Sequence, residues 1–573
     1  MRILGLNCFA HDTAAAVVID GALVAFVEQE RLSRDKHTWA FPDLAIDWCL
    51  RTAGLTINDI DMVTFDYRPG LDYARGVAFD ILPRLPGSAT RWAKQSYVDA
   101  MLAGKVWKFR KSWGYRGPIK MIDHHVAHAA ATLFASPLEQ SVAISIDRGG
   151  DYLSTAMFAC EGTQITEIMK VRNPHSLGEL YSAITWWLGF EPNWDEGKVM
   201  ALASFGGPAY LDDFRRMVHI GPNGSFKVDL SWAGWHLEKH PVSEKFLQKF
   251  GPRREASAEL ESLHYDVAYA VQTVVEETAL HMTHAAYRAA GAARLGKAAC
   301  LAGGVCLNSV MNTRVLLEGG FESVFMQPAI GDAGNAFGGA LLAWHQLTGK
   351  PRQWQMEHAM WGPCYEDDEI GKVLDSAKLP YEKVKDPAEK AADLIAGGKI
   401  VGWFQGPAEA GPRALGNRSI LADPRPGHMK DTINREVKHR EAFRPFAPSV
   451  LATEGHDWFD DYHPSPFMLL VLPVKPEKRK LVPAITHVDG TGRLQTVTPE
   501  TNPMFHRLIE SFNKKTGVPM VLNTSFNDRA EPIVCSPSDA LKTYFQTGID
   551  ALVIGSYVLE KQPGANKEQG DKK

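Results

Sequence analysis

The stretch RILGLNCFAHDTAAAVVIDGALVAFVEQE, residues 2–30, decides the fold. It contains three apolar runs separated by polar turns at residues 7–12 and 20–21. Short apolar runs bounded by turn residues are typical of buried β-strands. We therefore predict three consecutive strands, and the short turns between them make each neighbouring pair antiparallel.

The same pattern returns in SVAISIDRGGDYLSTAMFACEGTQITEIMKV, residues 141–171. Its first turn is predicted from Asp147 onward and its second turn at residues 161–162. Apolar residues at helical spacing follow, most clearly over residues 258–291. Two such meanders, each followed by helices, indicate a duplicated α/β unit with a cleft between its halves.

Charge and cysteine content exclude several kinds of protein. The 573 residues carry a net charge of -5, whereas proteins that hold nucleic-acid backbones usually have a marked basic excess. The 7 cysteines are scattered, without a Cys-x-x-Cys pair, which is typical of reduced thiols rather than of disulfides or zinc fingers. The N-terminus shows no signal-peptide pattern, and no apolar run is long enough to cross a bilayer. We expect a cytoplasmic protein that binds neither nucleic acid nor membranes.

Three histidines lie close together in the stretch MIDHHVAHAAATLFASP. If this segment is helical, His124 and His128 share one face and could bind one metal ion, whereas His125 points elsewhere. Asp147 and Asp332, each near glycines, would complete a nitrogen and oxygen ligand set suited to Fe(II), Mn or Zn. Taken singly, the histidines could be surface or core residues and the aspartates could cap turns or helices.

A second group of candidates is cationic. Glycines, prolines and aromatic residues surround five cations of residues 404–450, namely Arg413, Arg418, Lys438, Arg440 and Arg444. Rigid and apolar neighbours indicate partly desolvated side chains placed for planar oxyanions, with a surface patch as the alternative. Arg493, and a strand end with Asn523 and Arg529 beyond it, add groups that could bind a carbamoyl or phosphoryl moiety.

A glycine-rich junction follows the predicted long helix, in AACLAGGVCLNSVMNTRVL. An apolar strand leads to Gly303 and Gly304, and a helix begins near Asn308. Junctions of this kind expose backbone N–H groups that favour phosphate. The sequence therefore predicts a phosphate contact here.

Seven motifs, in order, resemble those of the O-carbamoyltransferases that modify antibiotics and nodulation factors, the family of nodulation protein U and tobramycin carbamoyltransferase. They are GLNCFAHDTAAAVVIDG, HHVAHAA, SLGELYSAITWWLGF with EGKVMALASFG, LAGGVCLNSVMN, GPRALGNRSI, FRPFAPS and LNTSFNDRAEPIVCSP. The match covers nearly the whole chain. The resemblance implies an α/β fold in which an actin-like, sugar-kinase-type domain covers residues 1–355. A second α/β domain, of the threonylcarbamoyl-adenylate-synthase type, would cover residues 356–565, and the polar residues 566–573 are predicted to be disordered.

The resemblance also implies a two-step reaction. The C-terminal domain would join carbamoyl phosphate to ATP, giving carbamoyl adenylate and pyrophosphate. The N-terminal domain would then pass the carbamoyl group to a hydroxyl of a small molecule, such as an antibiotic or a glycoside. The implied cofactors are Fe(II) in the N-terminal domain and Mg with the ATP, while the acceptor and the oligomeric state stay open.

The resemblance assigns roles to particular residues of this chain. The implied iron ligands are His124, His128, Asp147 and Asp332. The positions that match the carbamoyl phosphate and ATP pocket are Arg413, Arg418, Lys438, Arg444, Arg493, Asn523 and Arg529. Residues expected to contact the nucleotide or the intermediate in the N-terminal domain are Gly303, Gly304, Asn308 and Lys36. His11 and Asp12 are candidates for activating or orienting the acceptor hydroxyl, with capping of the first turn as the alternative.

Several points stay open in the sequence. Ala530 stands where the family's last motif usually has glycine, and if that glycine needs a positive φ, the loop with Arg529 could shift. Five tryptophans are candidate walls for an acceptor or else core residues: Trp186, Trp187, Trp194, Trp232 and Trp235. The alternative functions are an acyl-adenylate transferase acting on a macromolecule and a catalytically silent nucleotide-binding scaffold.

Overall fold

A computed structural model describes residues 1–561, except residues 9–10, 79–81, 83–88, 237–239 and 293–294. The predicted tail, residues 566–573, lies outside this part of the chain. Two compact units are present, one made of Met1–Gln29 and His37–Met356, the other of Glu30–Lys36 and the chain from Glu357 onward. The domain prediction placed Glu30–Lys36 in the first domain, whereas the structure groups this segment with the second unit.

The first sheet of unit 1 begins with the predicted meander. Its strands are β1 (Arg2–Asn7), β2 (Ala14–Ile19), β3 (Ala22–Glu28), β4 (Met62–Phe65) and β5 (Ile119–Met121), in the spatial order β3-β2-β1-β4-β5. The first three strands are antiparallel, with Leu4 opposite Val17, and β4 runs parallel to β1. The prediction of three strands over residues 2–30 is confirmed.

The second sheet of unit 1 repeats this arrangement. The further strands of the unit are β6 (Gln140–Gly150), β7 (Leu153–Glu161), β8 (Gln164–Arg172), β9 (Val218–Ile220), β10 (Phe226–Val228), β11 (Ala298–Ala302) and β12 (Ser323–Phe325). Five of them form a sheet in the order β8-β7-β6-β11-β12, which matches the first sheet strand for strand, while β9 and β10 form a separate hairpin. The duplicated α/β unit is confirmed.

One turn differs from the prediction. The turn of the second meander was placed from Asp147 onward, but β6 continues to Gly150 with a register shift after Ile146. The chain reverses at Asp151 and Tyr152, both of which have positive φ. Asp147 therefore projects from within a strand, which is a more rigid position than a turn.

Helices cover both sheets of unit 1. They are α1 (Gln29–Ser33), which runs into the segment grouped with unit 2, and α2 (Asp43–Thr52), α3 (Pro69–Gly76), α4 (Ala89–Trp113), α5 (His124–Ala135), α6 (Leu177–Trp187), α7 (Glu196–Ala203), α8 (Leu211–Met217), α9 (Glu244–Phe250), α10 (Ser262–Ala292), α11 (Ser309–Glu318) and α12 (Asn335–Thr348). The helix predicted over residues 258–291 corresponds to α10. Helix α12 packs against α5, β1 and β2, and a Cβ atom at Gly338 would overlap the carbonyl oxygen of Ala127 on α5. Glycine at this contact lets α12, which directly follows the turn with Asp332, approach the helix that bears His124 and His128 closely.

Unit 2 is built on one mixed sheet. Its strands are β13 (Glu382–Lys383), β14 (Val401–Phe404), β15 (Arg418–Ala422), β16 (Ala447–Leu451), β17 (Leu470–Pro473), β18 (Thr491–Val497), β19 (Met520–Ser525), β20 (Ala551–Ile554) and β21 (Tyr557–Glu560), in the order β13-β21-β20-β14-β15-β19-β16-β18-β17. Its helices are α13 (Asp367–Ser376), α14 (Pro387–Ala396), α15 (Met429–Thr432), α16 (Gly455–Trp458), α17 (Pro503–Thr516) and α18 (Pro537–Gln546). Side chains from strands and helices, including Trp403 and Phe512, form one apolar core. The α/β class is thus confirmed for both units, and among the described residues no helix is both long and apolar enough to span a bilayer.

Candidate functional sites

The four predicted metal ligands come together in unit 1. His124 and His128 are one turn apart on α5, Asp147 projects from β6, and Asp332 begins the short turn that leads into α12. One potential ligand atom of each lies within 4.8 Å of those of the others. The Nε2 atom of His124 is 3.1 Å from Oδ2 of Asp147, and Nε2 of His128 is 3.3 Å from Oδ1 of Asp332. We call these four residues the ligand cluster.

The chemistry of the ligand cluster fits a divalent cation. All four side chains are almost fully buried, and the buried Nε2 of His128 makes no hydrogen bond within the described part of the chain. Two imidazoles and two carboxylates form the mixed nitrogen and oxygen set that suits Fe(II) and similar ions. His125 points away from the cluster, since its ring nitrogens contact Ser145 and the carbonyl of Leu153. The sequence prediction for all three histidines therefore agrees with the geometry.

Electrostatics in the ligand cluster also favour a cation. Burial alone would lower the pKa of His124, but its hydrogen bond to Asp147 and the charges of Asp332 and Asp147 raise that pKa to about 10. Burial also raises the pKa of the neighbouring Asp66 to about 7. Without a cation, a proton on an imidazole balances the buried carboxylates. A bound metal ion would take over this role.

A backbone N–H group of the glycine junction donates a hydrogen bond to one residue of the ligand cluster. Gly303 has a φ of +93°, and the N–H of Gly304 donates a hydrogen bond of 2.9 Å to Oδ1 of Asp147. This bond leaves Oδ2 of Asp147 facing the histidines. Asn308 caps α11 by accepting from the N–H of Met311. The junction thus has the predicted strand, glycine and helix order, and one of its N–H groups positions a candidate metal ligand.

A second cluster in unit 1 contains His11 and Asp12. The Nδ1 atoms of His11 and His37 lie 2.8 and 2.6 Å from the two carboxylate oxygens of Asp12, so that one carboxylate joins two imidazoles. Burial would lower the pKa of His11, but Asp12, Asp332 and Asp147 together raise it to about 9. Asp12 has a φ of +58°. We call this group the imidazole pair.

His37 is a functional candidate that sequence reasoning missed. It lies directly after Lys36 in the stretch RDKHTWAF, and nothing in its spacing relates it to Asp12, which is 25 positions away. Lys36 was expected near the nucleotide in the N-terminal domain. The structure instead groups Lys36 with unit 2. Burial lowers the pKa of Lys438 well below its usual value, and the charges of Arg440, Arg444 and Lys36 lower it further.

Four arginines of unit 2 are close enough for their charges to interact. They are Arg413, Arg440, Arg444 and Arg493, which we call the arginine cluster. Burial and the charge of Arg444 lower the pKa of Arg413 to about 10. Burial lowers the pKa of Arg493 well below its usual value, and the charges of the other three members lower it further. Within the described residues, the buried Nε atoms of Arg413 and Arg493 have no hydrogen-bond partner. Cations that repel one another, two of which keep an unused donor, are chemically suited to a highly charged anion.

Arg440 belongs to this cluster although the sequence did not assign it to the pocket. It lies between Lys438 and Arg444 in the chain, and its guanidinium also stacks over Phe446. Its inclusion could have been inferred from the density of cations between residues 438 and 444. The sequence does not show which of these cations face each other.

Two other residues predicted to line the pocket, Lys438 and Asn523, make hydrogen bonds to neighbouring residues of unit 2. The Nζ atom of Lys438 donates to oxygens of Ser525 and Asn527, including Oδ1 of Asn527 at 2.7 Å. Asn523 is buried, and its amide donates 2.9 Å to Oγ of Ser449 and 3.2 Å to the carbonyl of Ala414. The contact with Ala414 holds the loop that carries Arg413.

Arg418 is engaged differently from the arginine cluster. It is fully buried, and its terminal nitrogens donate to the backbone carbonyls of four residues, Gln405, Gly406, Asn417 and Pro363. Its guanidinium also stacks on the ring of Phe404 with a distance of 3.7 Å to the centroid. Through these contacts, Arg418 connects β15 with two loops.

We expect the Arg418→Met variant to lose about 3 kcal/mol or more of unfolding free energy, because buried carbonyls would lose their donors. Urea unfolding of the whole chain measures the loss of unfolding free energy. Arg435→Met is the matched control, since Arg435 is an exposed arginine that pairs with the exposed Glu436, and a surface pair contributes little. If Arg418→Met unfolds like the wild type but has lost catalytic activity, Arg418 acts on the substrate rather than on the framework.

The open question at Ala530 has a clear geometric answer. Ala530 has a φ of +60°, in the left-handed region that favours glycine, and both Ala530 and its neighbour Arg529 are exposed. The loop therefore keeps the conformation that the usual glycine would adopt, at some cost in backbone strain.

We expect Ala530→Gly to stabilise unit 2 by about 0.5 kcal/mol or more, since it removes that strain. The control is Ala377→Gly, at an exposed alanine of the same unit with a φ of -82°, where glycine should destabilise instead. Thermal unfolding of both variants measures the difference. Equal destabilisation by both substitutions would show that Ala530 is not strained.

Comparisons with known proteins match both parts of the chain. The family model described as Carbamoyltransferase N-terminus matches residues 2–341, and the model described as Carbamoyltransferase C-terminus matches residues 392–561. Together they cover most of the chain, including the ligand cluster and the arginine cluster.

Individual relatives extend over nearly the same length. The chain is 38% identical to an uncharacterized protein of Synechocystis sp., over 100% of this chain and 98% of that protein. It is 37% identical to nodulation protein NolNO of Sinorhizobium fredii, over 98% of this chain and 81% of that protein. It is 30% identical to 3'-hydroxymethylcephem-O-carbamoyltransferase of Streptomyces clavuligerus, over 95% of this chain and 96% of that protein.

Solved structures are more distant. The ROK hexokinase of Thermus thermophilus aligns with a TM-score of 0.30 and 16% identity, over 61% of this chain and 100% of its own. HypF of T. kodakarensis aligns with a TM-score of 0.31 and 14% identity, over 61% of this chain and 48% of its own. Likeness at this level supports no inference about function.

Proposed function

The chain belongs to the carbamoyltransferase family, and from that premise we propose that it is an ATP-dependent O-carbamoyltransferase whose acceptor is a hydroxylated small molecule. In this proposal unit 2 makes carbamoyl adenylate from carbamoyl phosphate and Mg-ATP, and unit 1 transfers the carbamoyl group. The observation that carries the proposal is the arginine cluster. Burial and the charges of neighbouring members lower the pKa of three of its arginines, Arg413, Arg440 and Arg493, and such a group of cations suits a ligand of high negative charge.

The donor reaction brings two such ligands together. Atom balance requires that water cleaves carbamoyl phosphate to carbamate and phosphate, after which a carbamate oxygen attacks the α-phosphorus of ATP and pyrophosphate leaves. Polyphosphate and carbamate repel each other, so cations must offset this repulsion in the transition state. Arg413 and Arg493 suit this role because each has a buried Nε donor that no other described residue uses.

The transfer reaction needs a base near the acceptor hydroxyl. The hydroxyl oxygen attacks the carbamoyl carbon, its proton passes to His11, and AMP leaves. Asp12 would hold the His11 ring in place while His37 holds Asp12. A general base must be neutral at the working pH, and the carboxylates of Asp147 and Asp332 contribute to the raised pKa of His11. A cation held by these two carboxylates would cancel their effect and bring that pKa closer to neutrality.

The ligand cluster would hold Fe(II) through His124, His128, Asp147 and Asp332. When bound, the ion would supply positive charge where the adenylate phosphate departs. The chain's own residues would still bind the acceptor, orient it and accept its proton.

The test is pyrophosphate release by the purified protein given Mg-ATP, with and without carbamoyl phosphate. We expect release that depends on carbamoyl phosphate and that occurs before any acceptor is added. Release that needs no carbamoyl phosphate would contradict the proposed donor. The absence of release from iron-loaded protein would favour a different donor or a catalytically silent scaffold.

A further inference from the structure

Two imidazoles and one carboxylate converge in the imidazole pair. The Nδ1 atom of His11 lies 2.8 Å from Oδ2 of Asp12, and Nδ1 of His37 lies 2.6 Å from Oδ1 of the same residue. One potential ligand atom of each residue lies within 4.8 Å of those of the other two. Two histidines and one carboxylate are a common ligand set for divalent transition metals, and three protein ligands leave further coordination positions open. The imidazole pair therefore has the composition and spacing of a metal site separate from the ligand cluster.

The backbone holds the carboxylate and one imidazole in place. Asp12 and His37 have φ values of +58° and +53°, in the left-handed region that residues other than glycine seldom adopt. The carbonyl of Asp12 accepts a hydrogen bond of 2.9 Å from the side-chain amide of Asn7, which is buried at the end of β1. Such backbone conformations persist only where surrounding contacts impose them, and they are concentrated at functional sites. Ligands held in this way lose little conformational entropy when an ion binds.

Packing restricts both imidazole rings without closing the site to solvent. The ring of His11 lies 6.2 Å from that of Trp39, at an interplanar angle of 66°. The ring of His37 lies 5.0 Å from that of Trp194, which is the exposed one of the five tryptophans whose role the sequence left open, the other four being buried or half-buried. The side chains of His11, Asp12 and His37 are 25%, 28% and 19% exposed. An ion can therefore reach them from solution, which a metal site requires.

We propose that the imidazole pair is a second metal site, which binds one divalent transition-metal ion, such as Zn(II) or Co(II), through His11, Asp12 and His37. The ion would take the place of the protons in the two hydrogen bonds to Asp12. Imidazole nitrogens select such ions over Mg²⁺ and Ca²⁺, which prefer oxygen ligands. Three partly exposed ligands hold an ion less firmly than four buried ones, so dialysis should empty this site while the ligand cluster keeps its ion.

The metal site has a consequence for the transfer reaction. An imidazole whose Nδ1 binds a metal ion keeps its proton on Nε2, so it has no lone pair left to accept another proton. His11 therefore cannot act as a general base while the imidazole pair holds an ion. Occupation of the site would stop transfer, and loss of the ion would restore it. This consequence rests on the proposed function, whereas the metal site itself does not.

The experiment is a titration of the dialysed, iron-loaded full chain with Co(II). Equilibrium dialysis gives the amount of Co(II) bound, and the visible absorption of the bound ion reports nitrogen ligands. We expect the wild-type protein to take up one further ion per chain, which an excess of Mg²⁺ does not displace. His37→Asn should weaken this uptake at least about 100-fold, because it removes one of three ligands. Asparagine tolerates the left-handed backbone, and its amide can keep the hydrogen bond to Asp12.

His439→Asn is the matched control. His439 also has a positive φ, of +44°, and its Nδ1 lies 2.9 Å from Oδ1 of Asp528, but no second histidine of the described residues joins this pair. We expect the control to take up Co(II) like the wild type. Asp12→Asn provides a second test of the site, and circular dichroism verifies that each variant is folded.

Three results would overturn the inference. They are the absence of further Co(II) uptake by the wild-type protein, displacement of the bound ion by Mg²⁺, and uptake that persists undiminished in folded His37→Asn and Asp12→Asn. Pyrophosphate release by the wild-type protein tests the donor reaction separately. Release without Co(II) uptake would overturn this inference alone, whereas Co(II) uptake without release would support the metal site and contradict the proposed function.

Discussion

The His128→Ala variant should lose bound iron and at least about 100-fold of its carbamoyl transfer rate, while it still releases pyrophosphate. His128 contributes one of four converging ligands, and its buried Nε2 has no other hydrogen-bond partner among the described residues. The arginine cluster that is proposed to perform adenylation belongs to the other compact unit. Iron content by elemental analysis and pyrophosphate release, measured on one preparation, check both parts of the prediction.

The matched control is His125→Gln on the same helix. His125 is equally buried, but its ring contacts Ser145 and the carbonyl of Leu153 outside the ligand cluster. We expect this variant to keep its iron. If His128→Ala slows pyrophosphate release as much as transfer, the ligand cluster serves both reactions and the division between the units is wrong.

The Arg493→Gln variant should change activity and stability in opposite directions. Adenylation should fall about 100-fold to 1000-fold, since one preorganised donor to the reacting phosphates is lost. The protein without substrate should unfold at the same temperature or a higher one, because removing one cation relieves repulsion within the arginine cluster. Pyrophosphate release and thermal unfolding of the ligand-free protein measure the two effects.

Arg435→Gln is the control for this prediction. Arg435 is 70% exposed, pairs with Glu436 at 2.8 Å, and belongs to the same unit as Arg493. Its loss should leave both adenylation and stability nearly unchanged. A large fall in the unfolding temperature of Arg493→Gln would mean that Arg493 stabilises the fold and is not held in place for a ligand.

Local periodicity explains which site residues could be predicted. His124 and His128 share a face because any helix brings positions four apart together, so this part of the ligand cluster needs no tertiary information. Asp147 and Asp332 were added because each is a carboxylate near glycines, the family resemblance implied the same four residues, and the structure brings them within reach of the histidines. His37 escaped notice because its partner Asp12 is distant in the chain and the contact depends on how two loops fold back.

The arginine side chains, by contrast, have binding partners that the sequence does not predict. Arg413 and Arg418 lie five positions apart in one glycine-rich motif and look equivalent in the sequence. The guanidinium of Arg413 joins the arginine cluster, whereas that of Arg418 binds backbone carbonyls and Phe404. A long side chain can reach in either direction, and only the surrounding backbone decides which acceptors it meets.

The sequence by itself determined the two meanders, their repetition, the α/β class and the family, because strand and helix patterns depend on neighbours a few positions away. Tertiary structure alone decided which cations oppose each other, that Asp12 joins two imidazoles, and that Trp39 and Trp194 stay exposed while Trp187 is buried. Burial and charge repulsion are properties of the folded surroundings, which residues far apart in the chain supply together. For this reason the chemistry of a residue type could be predicted from the sequence, while its partner could be known only from the fold.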